Sequence, residues 1–372
     1  MIVILCAGLI AIALATALAV AFPALARPTL AFGVRVSEER VDDPAVIAAR
    51  RSYARSTVAA GALVAVVTVP VLLVTRSADA IGVTTSVLAV LDVLLFHRAH
   101  RMIRTAKLTG GWAAERRQGV AVDTTFRTDP VRVPWPWALP ALAVVLLTVG
   151  VGWARYGTLP ATLPPLLGYA AEPARREPTT VLSAFLPVIF QLALILIAVA
   201  LVLVVLRARP ELDAARPRGS ARRYRVYLRG TAVMVLLTAA CLDLSLLLAA
   251  LRLWEIVTPS ALWQVIVYAP LFLPVGGWLV WEVKVGQAGH RLPALPGEEQ
   301  EDSGLGQRDD DQYWYLAGSI YVNRRDPALL VHDRLVSWSW TLNLGHPVAW
   351  ILLGALAVGL VVLLVLVLPG AD

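Results

Sequence analysis

"VLSAFLPVIFQLALILIAVALVLVVL" (181–206) contains no charged residue, and Ser183 and Gln191 are its only strongly polar side chains. As a helix, a run of this length reaches about 39 Å, more than the ~30 Å hydrocarbon core of a bilayer. Backbone amides in hydrocarbon need partners within the segment, so a helix is the expected form. Seven further apolar runs occur, at 2–24, 56–75, 80–97, 134–153, 230–251, 261–281 and 347–368. The 80–97 run is short. The expected fold is therefore an all-α polytopic membrane protein with about eight transmembrane helices.

Composition agrees. Hydrophobic residues make up 58% of the 372 residues and mean hydropathy is +0.70, beyond the usual range of soluble domains. The net charge of +7 comes almost wholly from arginine, since Lys107 and Lys284 are the only lysines. This arginine bias suggests a high-GC bacterial genome. Loops 25–55, 98–133, 207–229 and 282–346 hold 28 of the 33 basic residues. The other five are Arg76, Arg155, Arg175, Arg176 and Arg252. The positive-inside rule then predicts four basic cytoplasmic loops and both termini outside, in a bacterial plasma membrane. The first run ends in "ALAR" (24–27), which resembles a cleavage site. It lacks a basic n-region and has a long apolar core, so an uncleaved helix is expected. Ten of the twelve tryptophans lie near the ends of runs, where indole prefers to sit; Trp112 and Trp314 lie deep in loops.

"ARRSY" (49–53) and "ARRYR" (221–225) precede similar helix pairs. "PWPWALPALAV" (134–144) and "PVAWILLGALAV" (347–358) share Pro-x-x-Trp and Ala-Leu-Ala-Val. These echoes suggest a 4+4 repeat with both halves in the same orientation; chance matches between Ala/Leu/Val/Arg-rich interfaces are the alternative. The expected divisions are a three-helix segment with basic inner loops (1–133), a helix pair with a Pro-rich outer loop (134–206) and helices six and seven (207–295). A linker (296–311), an aromatic cytoplasmic subdomain (312–346) and the last helix (347–372) follow. "PGEEQEDSGLGQRDDD" (296–311) has seven acids and no aromatics, which predicts a solvated, flexible linker.

Asp92 and Asp243 are the acids well within the apolar runs. A charge in hydrocarbon costs at least ~2.5 kcal/mol, so each is a candidate intramembrane polar site for proton or cation coupling. The alternative is structural, with Asp92 reaching the cytoplasmic interface and Asp243 protonated or bonded to a neighbouring helix. Gln191 and Gln264 are expected as interhelical hydrogen-bond partners. His97 and His100 have metal-ligand spacing without a third matching ligand. They sit in "HRAHRMIRTAK" (97–107), where Arg98, Arg101, Arg104 and Lys107 form a stripe suited to anionic lipid headgroups. The chain has no Walker loop, GxGxxG, GxSxG, HExxH or CxxC motif, and Cys6 and Cys241 fall in separate runs. Enzymatic activity, a metal, a cofactor and a nucleic-acid partner are accordingly not expected.

Two segments carry a family resemblance. Tyr156, Leu159, Pro160, Leu163 and Pro164 match the Tyr-x-x-Leu-Pro-x-x-Ile/Leu-Pro signature of an uncharacterised bacterial membrane domain. That domain also occurs in the immunity protein of the sporulation-delay toxin system. The family continues with His-Phe-Asn; here those positions read Pro165, Leu166 and Leu167. The segment 309–350 resembles a C-terminal domain of unknown function found beside the first. It matches through Tyr313, Trp314, Tyr321, Asn323, Asp326, Pro327, Trp340, Thr341, Asn343, Pro347 and Trp350. "FGVRVSEERVDDPAVIAARRSY" (32–53) is similar to the segment these proteins carry after their first span. The resemblance implies a membrane protein of unassigned activity, with toxin immunity and signalling known for a more distant relative.

In the C-terminal patch, Ser337, Ser339 and Thr341 alternate with Trp338, Trp340 and Leu342, a period of two. This favours a β-hairpin, with "NRRDP" (323–327) turning between "SIYV" and "ALLV". The rival is a helix capped by Asp326, as "DDPAV" (42–46) would begin one. Tyr313, Trp314, Tyr321, Asn323, Asp326, Trp340 and Asn343 are a candidate docking patch for a soluble cytoplasmic protein; the alternative is an interfacial anchor for the last span. Three functions stay open: a non-enzymatic immunity- or signalling-like membrane protein, a carrier using Asp92 or Asp243, and a membrane-embedded enzyme.

Overall fold

The fold is that of a computed structural model, which describes residues 2–77, 79–112, 117–164, 166, 176–258, 260–335 and 340–367, with the side chains of 2, 3, 261 and 362–367 excepted. Pro165, Leu167, Ser337, Trp338 and Ser339 lie outside the described residues.

Helices form at all eight apolar runs. They are α1 (Ile2–Leu25), α2 (Pro44–Thr75), α3 (Asp79–Thr109), α5 (Leu139–Tyr156), α6 (Val181–Arg207), α7 (Pro217–Leu253), α8 (Ala261–Lys284) and α9 (Pro347–Val367), with a single turn, α4 (Thr125–Thr128), between α3 and α5. Among the described residues seven are long and apolar enough to cross a membrane, and α9 contributes a shorter apolar stretch, Pro347–Val361. Their large apolar side chains point outward: Val66, Leu196 and Phe272 are each about 70% exposed. So much exposed hydrocarbon is untenable in water and suits acyl chains. The chain is an integral membrane protein by this measure.

Several helix starts follow local chemistry. Asp43 caps α2 by accepting from the Ala45 amide at 2.9 Å, with Pro44 in the first turn, where its missing N–H costs nothing. Thr180 and Ser183 form a reciprocal capping box on α6. The "HRAHRMIRTAK" stretch is no loop; it continues α3 for three turns beyond the apolar run.

The chain divides into two compact units. Unit 1 comprises Met1–Asp123, Arg209–Arg222 and Gly286–Asp372; unit 2 comprises Thr124–Ala208 and Arg223–Val285. Unit 1 holds runs one, two, three and eight, and unit 2 holds runs four to seven; the long segment before α9 belongs to unit 1.

In unit 1, α1, α2 and α3 pack together around Ile12, Val64 and Leu88. Gly61 admits close approach of α1, since a methyl there would collide with the Thr16 side chain; small residues serve this purpose between membrane helices. A second core of Phe32, Val34, Val36, Val46, Tyr53, Ile103 and Trp112 joins the α2 and α3 extensions to the hairpin of β1 (Leu30–Ala31) and β2 (Val34–Arg35). Unit 1 also holds β3 (Gln118–Gly119). Unit 2 has β4 (Thr162–Leu163) paired with β5 (Glu177–Pro178). Its core centres on Leu163, Ala184, Ala250 and Trp254, with Tyr156 and Leu159 packed against them.

The remaining strands belong to unit 1. They are β6 (Gly306–Gln307), β7 (Trp314–Tyr315), β8 (Ile320–Tyr321), β9 (Leu330–His332) and β10 (Trp340–Leu342). β6 pairs with β3, β7 with β8, and β9 with β10. The expected hairpin thus differs in its pairing. "SIYV" does not zip to "ALLV"; it pairs back onto Trp314–Tyr315, and "ALLV" pairs with Trp340–Leu342. "NRRDP" is a turn, and no helix follows Asp326.

Candidate functional site

Two polar constellations stand out, one in each unit.

The first is a buried charge network in the polar head of unit 1. Arg334 lies two residues beyond β9 with its side chain 2% exposed. Its Nη1 donates to Asp311 Oδ1 at 2.5 Å and to the Gly33 carbonyl at 2.8 Å, its Nη2 donates to Asp310 Oδ1, and its guanidinium lies 4.8 Å over the Trp314 ring. Arg35 donates to Asp310 at 3.2 Å and Glu211 at 2.9 Å. Lys107, near the end of α3, donates to Asp311 at 2.6 Å and contacts Asp309 at 2.9 Å. Arg27 lies 3.8 Å from Glu211. Four cations thus face four carboxylates, and the set is neutral overall.

Burial alone would push the Glu211 carboxyl up, yet Arg27 and Arg35 hold it well below the usual range. Asp311 is likewise lowered to about 2, with Arg334 and Lys107 overcoming its desolvation. Asp310 is lowered against burial by Arg35 and Arg334. Arg35 is raised, because Asp310, Glu211 and Asp311 outweigh its desolvation. His332, buried beside this set, is pushed down to about 3, mainly by desolvation. Its ring centroid lies 4.7 Å from that of Trp340, with the planes tilted by 40°.

A close backbone crossing completes the head. Gly33 (φ 76°) faces the Ala317 carbonyl, where any Cβ would collide, and Gly318 (φ 98°) lies alongside. Leu316 and Ala317 are also left-handed, with φ of 46° and 57°. Such strain persists only where the surroundings over-determine it. Here the Arg334 bond to Gly33 and the His100 Nδ1 contact with the Phe32 carbonyl at 2.8 Å hold the crossing from both sides.

The Tyr-x-Asn-x-x-Asp-Pro motif proves to be a loop clasp. Asn343 is wholly buried. Its amide nitrogen donates to the carbonyls of Asn323, Asp326 and Ala328 at 2.9–3.1 Å, and its oxygen accepts from the Asn323 and Gly345 amides. Tyr321 donates to Asp326 Oδ2 at 2.9 Å, and Arg209 grips both Asp326 oxygens at 2.8 Å. Burial, with Asp326 beside it, pushes the Tyr321 phenol up to about 12.

Several sequence expectations change accordingly. Trp314, Tyr321, Asp326 and Asn343 are buried and Tyr313, Asn323 and Trp340 half-buried, so the aromatic patch contributes to the head's interior. Lys107 is buried in the charge network, whereas Arg98, Arg101 and Arg104 are exposed on α3. The 296–311 segment is not a free linker. Glu298 pairs with Arg222 at 2.7 Å, Glu301 accepts from the Arg218 and Gly219 amides, and β6 pairs with β3. Trp112 and Trp314, the two loop tryptophans, are buried beneath Arg40 and Arg334. His97 and His100 stack, but no cluster of three potential metal ligands exists among the described residues.

The second constellation lies in unit 2, where Thr148 (α5), Gln191 (α6) and Asp243 (α7) are all fully buried. Gln191 Nε2 donates to Thr148 Oγ1 and to the Asp243 main-chain carbonyl, each at 2.9 Å. Gln191 thus bridges helices as its sequence position suggests. Thr148 was not singled out by any sequence signal. Asp92, on α3 in unit 1, is half-buried, and its Oδ1 has no hydrogen-bond partner.

No family model, curated protein or solved structure matches the chain.

Proposed function

We propose that this is a non-enzymatic, eight-span protein of a bacterial plasma membrane that works by binding a soluble cytoplasmic protein through its polar head, in the manner of toxin-immunity or signalling membrane proteins. The observation that carries the reading is the buried network of Arg35, Lys107, Arg334, Glu211 and Asp309–Asp311. Buried ion sets add little net stability over apolar packing. Their use here is to fix one conformation of a small head made from four separate chain segments. The concentration of basic residues in alternate loops supports a cytoplasmic head and external termini.

The aromatic residues of the motif serve the interior, so the contact surface is what the head turns outward. At the tip between β7 and β8, Tyr315 and Leu316 are 54% and 66% exposed. Arg324 and Arg325 are exposed on the clasped loop. Exposed tyrosine and arginine are residue types enriched in binding hot spots. Crosslinking pull-down of the native protein from its own cells tests this. A stoichiometric soluble partner, lost in Tyr315→Ser with Leu316→Asn, is expected; Asn tolerates the left-handed backbone at 316. Undiminished crosslinking in that variant, with unchanged membrane insertion, would overturn the reading.

A further inference from the structure

The cluster around Asp243 lacks a hydrogen-bond donor. Thr148 spends its hydroxyl proton on the Val144 carbonyl at 2.8 Å, and Gln191 Nε2 serves Thr148 and the Asp243 carbonyl. That leaves Gln191 Oε1, Asp243 Oδ1 and Asp243 Oδ2 buried without partners. Three acceptors and no remaining donor is an arrangement that an ionised carboxylate makes costly, because an unpaired buried charge is far more expensive than a buried neutral acid. One added proton supplies the missing donor and removes the charge together. We propose that Asp243 is a reversible proton-binding site in the interior of unit 2, with Gln191 as its positioning residue.

A metal cation fits less well. Hard cations take about six or more oxygens, and intramembrane cation sites draw them from unwound helices. α7 runs unbroken through Asp243, and that residue's own carbonyl is already taken by Gln191. The site is also electrically isolated. Among the described residues Asp243 has no ion-pair partner, and it lies ten residues, about 15 Å, before the end of α7. The other ionisable groups of the packed helices are Arg155 and Tyr156 ending α5, Arg207 ending α6, Tyr268, Glu282 and Lys284 on α8, and, on α7, Cys241, Arg252 and the arginines and tyrosines of 218–229. Of these only Cys241 is within one turn along the sequence. With no side-chain partner on its carboxylate among the described residues, Asp243 would exchange its proton with water or bulk buffer, leaving a carboxylate behind.

The test is infrared difference spectroscopy on the full-length protein in lipid, stepped from acid to alkaline pH. A protonated-carboxyl band lost at high pH is expected. It should shift in D2O, be absent from Asp243→Asn and move in frequency in Asp243→Glu, which keeps an acid there if the Asn variant does not fold. Gln191→Met should displace the transition pH and leave the band present. Absence of any pH-dependent carboxyl band, or its persistence in Asp243→Asn, would overturn the proposal. So would assignment of the band to Asp92 by Asp92→Asn. Loss of the band on adding Na⁺ at constant pH would mean that a metal cation, not a proton, is the ligand.

Discussion

Arg334→Met separates the charge network's role from that of simple packing. Methionine keeps much of the side-chain length over Trp314 and removes three donors. Hydrogen bonds to charged groups contribute about 1.5–3 kcal/mol each, and removing one member of a buried ion set costs about 3–5 kcal/mol. The remaining partners argue for the lower end. Asp310 keeps Arg35 and the Trp314 indole at 3.2 Å, and Asp311 keeps Lys107 at 2.6 Å. A cost of about 3 kcal/mol corresponds to roughly 150-fold more frequent opening of the head. Hydrogen-exchange mass spectrometry on the full-length protein in nanodiscs reads this directly. The amides of Val322 and Leu344, which donate to Tyr313 and Tyr321 at 2.9 Å, should exchange about 150-fold faster, with the α5 and α6 amides unchanged. Arg40→Met, at a cation 37% exposed over Trp112, should change exchange by less than about fivefold, as an exposed pair is worth under ~1 kcal/mol. Unchanged exchange of the head in Arg334→Met, or an equal rise in both units, would refute the reasoning.

Acid should open the head in two stages. His332 has a folded pKa of about 3 against ~6.5 when unfolded. The unfolded state therefore takes up the proton first, and stability falls as pH drops from about 6.5 to 3. Asp311, at about 2, contributes stability that is complete above ~4 and lost as pH falls towards 2. Exchange measured against pH should show both stages, and His332→Phe should abolish the upper one. Gly33→Ala forces a Cβ onto the Ala317 carbonyl at φ 76° and should destabilise the head by at least ~2 kcal/mol, read as proteolytic nicking at 309–335. Native mass spectrometry should detect weaker anionic-lipid retention in Arg98→Gln/Arg101→Gln/Arg104→Gln, whereas Lys107→Gln should loosen the head instead. Cysteine-accessibility mapping should find position 299 protected from external reagent in intact cells and position 157 labelled; the reverse pattern would invert the proposed orientation.

Helix positions were legible because apolar length is a property of the chain alone. The same holds for the α2 start, where Asp43-Pro44 carries the cap in two residues. What stayed hidden depends on contacts between distant residues. Lys107 reads as one more cation in a basic stripe, and nothing near it in sequence reveals Asp311. The "DDD" at 309–311 has the composition of a solvated linker, since composition cannot show that two arginines and a lysine from elsewhere meet it. The aromatic motif was visible as a pattern, but its inward-facing use follows from Asn343 clasping three carbonyls, a geometry with no local periodicity. Asp243 was legible as an unusual acid in an apolar run; its shortage of donors required Thr148 and Gln191 from two other helices.

The charge network also sets an order of events during synthesis. Lys107 and Asp311 are separated by 204 residues, so at about 5–20 residues per second the lysine waits roughly 10–40 s for its partner. Arg27 and Arg35 wait for Glu211, and Arg35 longer still for Asp310. Throughout that interval these cations lack the carboxylates they meet in the folded head, and loop charge acts on orientation as helices insert. The same side chains would thus serve first as retention signals for the nascent chain and only afterwards as the interior of a finished head. A substitution that preserves the folded network but reverses its polarity, exchanging the arginines and aspartates, should then fail at insertion and not at folding.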